Sequence, residues 1–264
     1  MKKAFALLLV MVMLLAFTAC GNEAPTNNSA NPNESTTTTV ADSNENNTSD
    51  EENNSTENET PNIESGNFDS LDAIEAALTK DTADTISALE TEWEELKAEI
   101  TTFDKYVANV DKVEAFYNKV NTETASLCKR LCGYTLNYAE FIMATDDSTD
   151  DKYDSFDEIY DCVYEDAGDD IYDEIYDGIL DDMYNVLYDG VLDDAYDTVS
   201  YDEWSDARST EYDWWSDTRS DVYDEWSDTR SDIYDFWSDM RGELWDDDIE
   251  KATEKMEEFK EDIQ

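Results

Sequence analysis

The sequence predicts an all-α protein, with elongated helical hairpins in a coiled-coil-like bundle that follows a disordered N-terminal tether. Three observations predict this fold. No proline occurs after Pro61, so no proline interrupts a helix in the rest of the chain. From Asp69 onward, apolar residues recur at helical spacing. Between Tyr201 and Trp245 they recur every eleven residues, which is close to three helical turns.

The N-terminus has the features of a secretory signal. A positive start, Met1-Lys2-Lys3, precedes an uncharged apolar run from Ala4 to Phe17. That run is shorter than the ~20 residues that a membrane crossing needs. The segment Phe17-Thr18-Ala19-Cys20 resembles the lipobox of bacterial lipoproteins, although Phe17 stands where leucine is commonest. The resemblance implies a signal peptide over residues 1–19, a lipidated Cys20, and retention at the cell membrane on its extracytoplasmic face.

Residues 20–66 form the predicted tether. After Cys20 the chain consists almost entirely of Asn, Ser, Thr, Glu and Pro, with few large apolar side chains. Such a segment cannot bury enough surface to offset the entropy of ordering it, so we expect a disordered linker between the lipid and the folded region.

The composition excludes several classes of function. The 264 residues carry a formal net charge of −52, which disfavours nucleic acid and anionic lipid surfaces as partners. We expect only diffuse divalent cations around the acidic faces. The chain has no histidine and no glycine-rich phosphate loop, so the usual nucleophile systems and most zinc sites are missing. We therefore predict a protein that is not an enzyme, with no cofactor and no specific metal site.

Residues 67–145 show a heptad pattern that predicts a packed helical hairpin. Its apolar positions form two registers that do not join cleanly around Thr101-Thr102-Phe103, so the helix either breaks there or carries a local stammer. The first register is Ile86, Leu89, Trp93, Leu96, Ile100 and Phe103; the second is Tyr106, Val110, Val113, Tyr117, Val120, Thr124, Leu127, Leu131, Tyr134, Tyr138 and Phe141. Polar clusters also predict turns at residues 80–82, 144–149 and 167–169.

Three cysteines follow Cys20. Cys128 and Cys132 lie four residues apart on one helix face, and Cys162 comes later. In an oxidising compartment Cys162 could form a disulfide with either of the pair. Buried free thiols are the default expectation.

Residues 146–264 form an acidic region rich in Tyr, Trp and Asp. From Ile171, apolar pairs recur every four residues. Four residues turn about 400° in an α-helix, so this stripe would drift by about 40° per repeat. The helix must then bend, at Gly178 or Gly190, or meet more than one neighbour.

A sharper repeat of eleven residues begins at Tyr201. It places Tyr, Trp and Arg on one nearly straight helical stripe. The stripe comprises Tyr201, Trp204, Arg208, Tyr212, Trp215, Arg219, Tyr223, Trp226, Arg230, Tyr234, Trp237 and Arg241. Each Arg follows a Trp by four residues, which favours stacking of the guanidinium on the indole.

Three interpretations of the stripe remain open. It packs against the protein's own helices to make a rod, it joins copies in a homo-oligomer, or it is a docking surface for a surface partner. We predict a surface-exposed, lipid-anchored helical spacer or interaction protein. The first alternative is a lipoprotein that binds a glycan or a cationic partner through the stripe. The second, a solute-binding lipoprotein of a transporter, is disfavoured because the alternating strands and helices of that class are missing.

Overall fold

The computed structural model describes residues 68–263. These residues form helices and turns without a strand, which confirms the predicted all-α fold. The signal peptide, Cys20 and the linker lie outside the described residues. Within the described residues, no helix is both long enough and apolar enough to cross a membrane.

Three long α-helices and one mixed helix dominate the structure. The α-helices are α1 (Leu71–Glu99), α2 (Phe103–Ala144), α3 (Thr149–Ser155), α4 (Gly168–Asp170), α5 (Leu180–Met183), α6 (Tyr201–Trp245) and α7 (Ile249–Asp262). Three π-helical segments, π1 (Ile159–Ala167), π2 (Ile171–Ile179) and π3 (Tyr184–Leu192), alternate with α4 and α5. Together π1 to π3 with α4 and α5 form one continuous rod, which we call the mixed helix. At ~1.5 Å per residue, α6 alone is about 67 Å long.

The mixed helix, α1, α2 and α6 form a four-helix arrangement. Helices α1 and α2 are antiparallel, as the ion pair between Lys119 and Glu92 and the one between Lys112 and Glu99 show. Helix α6 runs parallel to α2, because Tyr117 contacts Glu211 and Asn121 contacts Asp221. It runs antiparallel to the mixed helix, because Arg208 near its start pairs with Asp193 and Arg241 near its end pairs with Asp157. The predicted regions 67–145 and 146–264 therefore pack side by side.

The heptad pattern identified much of the core. Leu89, Trp93, Val113, Tyr117 and Leu127 are all nearly or completely buried. The break near Thr102 is also confirmed, since α1 ends at Glu99 and α2 begins at Phe103. Helix α2 also buries residues on a second face, because it contacts α1, α6 and the mixed helix.

Two of the three predicted turns are wrong. Residues 80–82 lie inside α1, where Thr82 is buried, and residues 167–169 lie inside the mixed helix. The turn at 144–149 is correct. Two turns were not predicted, at residues 195–200 and at residues 246–248, and in the second Asp247 has φ of 61°. Aspartate tolerates this left-handed conformation better than most residues.

The π segments explain how a four-residue stripe stays straight. A π turn is closed by i→i+5 hydrogen bonds and holds more than four residues, whereas an α turn holds 3.6. Alternation of the two brings the average close to four. The buried row therefore keeps one direction along the mixed helix: Ile159, Val163, Ala167, Ile171, Ile175, Ile179, Met183 and Leu187. The drift expected from α geometry does not occur.

Candidate functional site

Aromatic side chains of α6 and the mixed helix meet in closed groups of four, which we call quartets. In the central quartet Tyr172 and Tyr176 from the mixed helix face Tyr223 and Trp226 from α6. Ring centroids of neighbours are 4.7 to 5.8 Å apart, within the range in which aromatic pairs attract. Two further quartets have the same arrangement: Tyr184, Tyr188, Tyr212 and Trp215, and Tyr160, Tyr164, Tyr234 and Trp237.

Smaller aromatic groups close the two ends of the series. Tyr196, Tyr201 and Trp204 form the group at the start of α6. Tyr153 and Trp245 form the group at its end. Five aromatic groups therefore follow one another along the contact between the two helices.

An arginine lies between each group and the next. The Arg219 guanidinium carbon is 4.0 Å from the ring centre of Tyr176 in one quartet and 5.3 Å from that of Trp215 in the next. Arg208, Arg230 and Arg241 repeat this geometry, each with one tyrosine at 4.0 Å and one tryptophan at about 5 Å. We call the five groups and the four arginines the aromatic ladder.

Each ladder arginine also forms an ion pair with an aspartate in the mixed helix or just outside one of its ends. The partners are Asp193, Asp181, Asp169 and Asp157, which follow one another at twelve-residue spacing. The arginine side chains are only about one-fifth exposed. A guanidinium between two rings and beside a carboxylate is held more firmly than a surface ion pair, which contributes at most ~1 kcal/mol.

Three of the ladder tryptophans donate hydrogen bonds to backbone carbonyls of the mixed helix. The indole Nε1 groups of Trp204, Trp215 and Trp226 lie 2.8, 3.1 and 2.7 Å from the carbonyl oxygens of Leu192, Leu180 and Gly168. Trp237 has no such acceptor among the described residues. We call each tryptophan of the ladder, with the rings and the arginine beside it, a level. The indole N–H is hydrogen-bonded at the levels of Trp204, Trp215 and Trp226, and it is not at the fourth level, that of Trp237.

The repeat length of the ladder differs between α6 and the mixed helix. On α6 the ladder repeats every eleven residues, as in Trp215 and Trp226, but on the mixed helix it repeats every twelve, as in Tyr184 and Tyr172. Both repeats make three helical turns, because the π turns accommodate the extra residue. Eleven residues of one helix therefore stay in register with twelve of the other.

The predicted stripe therefore packs on the protein's own mixed helix through its Trp and Arg side chains. The tyrosines of the stripe, Tyr201, Tyr212, Tyr223 and Tyr234, stand at the outer edge and are 43 to 65% exposed. Arg219 lies over Trp215, as the four-residue spacing predicts, and its second ring is Tyr176 of the mixed helix. The sequence reading did not anticipate the twelve-residue row that supplies these partners.

A buried carboxylate lies elsewhere on α6, against α2. Glu211 is completely buried and accepts hydrogen bonds from Tyr117 at 2.6 Å and Tyr106 at 2.9 Å. Burial raises the pKa of Glu211 to about 7, although the two phenol donors oppose the shift. The eleven-residue spacing contains the signal for this site, since Val222 and Ile233 occupy the next equivalent positions in the core.

The three cysteines after Cys20 are free thiols in the structure. Cys128 and Cys132 are free and buried beside α6, where desolvation raises the pKa of each thiol to about 12. Cys162 is also free and lies against Tyr138, with its pKa raised by burial to about 11. Tyr138 is six residues beyond Cys132, about 9 Å along α2, so the thiols occupy separate sites.

Neither metal-binding geometry nor a related protein defines the site further. Among residues 68–263, no group of three or more His, Cys, Asp or Glu side chains is arranged to hold a metal ion. Comparison with protein-family models, curated proteins and solved structures gave no match for this chain.

Proposed function

We propose that the chain is a non-catalytic spacer or interaction protein, anchored to the extracytoplasmic face of the cell membrane by a lipid on Cys20. The aromatic ladder carries the proposal. Its tryptophans and arginines bond α6 to the mixed helix along most of the length of α6. The side chains best suited to chemistry or to binding a partner are therefore used within the protein.

The ladder stiffens the domain in a way that suits a spacer. A helix pair held only by apolar contacts can slide or bend, because such contacts have little directionality. Here every three turns of α6 add a guanidinium between two rings and, at three levels, an indole hydrogen bond. Both contacts require one fixed alignment of α6 along the mixed helix. Bending or sliding would break several levels together, so the pair should behave as one rigid rod.

Anchoring can be tested by replacing Cys20 with alanine. The variant should lose labelling by a fatty-acid probe and appear in the medium or as an unprocessed precursor. A Cys162→Ala variant is the matched control and should be labelled normally. Unchanged labelling of the Cys20→Ala variant would contradict acylation at this position.

The rod shape can be tested by sedimentation velocity of the full chain released from the membrane in detergent-free buffer after removal of the lipid. The measurement gives mass and frictional ratio together, so it separates a single elongated rod from an assembly of copies. A monomer with the frictional ratio of a compact sphere would contradict the spacer proposal.

A further inference from the structure

The outer edge of the aromatic ladder forms a groove between successive quartets. Tyr223 and Tyr234, each 43% exposed, form its two walls together with Tyr164 of the mixed helix. Trp226 and Arg230 lie at its floor. The space between them is about 470 Å³, which is within the usual size of a small-molecule site.

Polar groups converge on this groove. The hydroxyl-bearing residues Ser227 and Ser231 line it, one turn apart on α6. Among the described residues, Arg230 uses only Nη1 in a hydrogen bond, to Asp169 at 2.6 Å. A guanidinium carries five N–H donors, so Arg230 retains donors for a ligand. The groove thus combines aromatic surfaces with donors and acceptors.

The charges in and around the groove disfavour a charged ligand at its floor. The Arg230 guanidinium lies over Tyr164 and Trp226, so those two rings are already paired with a cation, and a second positive charge at the floor of the groove is repelled at close range. An anion would approach a chain with 69 acidic and 17 basic residues, against strong repulsion. A neutral ligand meets neither repulsion.

The same residue types recur along the ladder. Eleven residues before the groove, Tyr212, Trp215, Ser216, Arg219, Ser220 and Tyr223 occupy the equivalent positions on α6, and Tyr176 replaces Tyr164. Equivalent positions are about 16 Å apart at ~1.5 Å per residue. A row of equal sites at fixed spacing favours a ligand that itself repeats, because binding at one site raises the effective concentration at the next.

We propose that this edge of the ladder binds a neutral polysaccharide. The apolar C–H faces of its sugar rings pack on the tyrosine walls, and its hydroxyls bond with Ser227, Ser231 and Arg230. This binding goes beyond the spacer role, since a rod can separate two points without holding any ligand. The two proposals can therefore fail separately.

Native gel electrophoresis with a polysaccharide embedded in the gel tests the proposal on the full chain. The probes are two uncharged polymers, a mixed-linkage β-glucan and glycol chitin, and polylysine added in solution serves as the cationic competitor. At least one neutral polymer should reduce the migration of the protein in the gel. Any binding of polylysine should be the same whether or not Tyr223 and Tyr234 are present. Absence of retardation by both neutral polymers, or polylysine binding that depends on Tyr223, would overturn the proposal.

Variants of the groove make the test specific. Replacing Tyr223 and Tyr234 by leucine keeps apolar volume but removes both stacking walls, and should weaken binding about tenfold. The Ser227→Ala/Ser231→Ala variant leaves the walls intact and should weaken binding several-fold. Val107→Ala, on an exposed side chain of α2 away from the ladder, should bind like the unaltered protein. Circular dichroism checks that each variant is folded, and equal binding by a folded Tyr223→Leu/Tyr234→Leu variant would overturn the proposal.

Discussion

Replacement of Glu211 by glutamine should stabilise the fold at alkaline pH and change it little in acid. Glu211 occupies a core position of α6 and contacts only the phenols of Tyr106 and Tyr117 with its carboxylate. Glutamine has nearly the same shape and can accept a hydrogen bond from one phenol and donate one to the other. The substitution therefore removes the ionisation and keeps the packing.

The size of the effect follows from the pKa of Glu211. Burial raises it from an ordinary value of 4.5 to about 7. Between these values the folded protein keeps a proton that the unfolded chain has released, so stability falls as pH rises through this window and levels off above it. At ~1.4 kcal/mol per unit, ionisation costs the folded state about 3 kcal/mol. That is a large share of a typical total stability of about 5–15 kcal/mol.

The measurement is urea unfolding of the full chain, followed by tryptophan fluorescence at pH 5 and pH 8. Urea is uncharged, so the ionic strength stays constant across the titration. The control is Glu254→Gln, which removes one negative charge from an exposed position on α7. The Glu211→Gln variant should gain about 3 kcal/mol more at pH 8 than the control, with a small difference at pH 5. Equal gains by both variants at pH 8 would refute the reasoning.

Further predictions concern the ladder and the charge of the chain. Arg219→Met should cost about 2 kcal/mol in urea unfolding because two stacked faces and an ion pair are lost, whereas Lys105→Met, an exposed charge off the ladder, should cost less than about 0.5 kcal/mol. Trp226→Phe should cost about 1 kcal/mol more than Trp237→Phe, because only the first indole loses a hydrogen bond; equal costs would contradict the incomplete fourth level. Helicity measured by circular dichroism should rise with added NaCl or Mg²⁺ as carboxylate repulsion is screened, and indifference to salt would argue against strong repulsion.

The sequence predicted the helical class and the course of the core because these depend on local spacing. The heptads around Leu89 and Val113 and the eleven-residue row of Trp215 and Trp226 follow α-helical geometry alone. The twelve-residue row of tyrosines on the mixed helix could not be predicted in this way. The four-residue row of the mixed helix keeps one direction only because π turns alternate with α turns, and α-helical spacing alone does not predict π turns.

The missed carboxylate has a different cause. Glu211 lies in a sequence with 69 acidic residues, where one more acid is unremarkable by composition. Only alignment of the eleven-residue units shows that it replaces the apolar side chains found at Val222 and Ile233. Its two phenol partners come from α2, about a hundred residues away in the chain, so no local sequence pattern predicts them.

The pairing of eleven residues with twelve restricts how this rod can change length during evolution. A duplication inside α6 alone would leave one arginine and one tryptophan facing no tyrosines, and one inside the mixed helix alone would leave two tyrosines without their α6 neighbours. Only paired insertions, one unit in each helix, would preserve every level, and each such pair would add about 16 Å. The α1–α2 hairpin follows heptads and has no matching unit, so the added length would project beyond it as a two-helix extension.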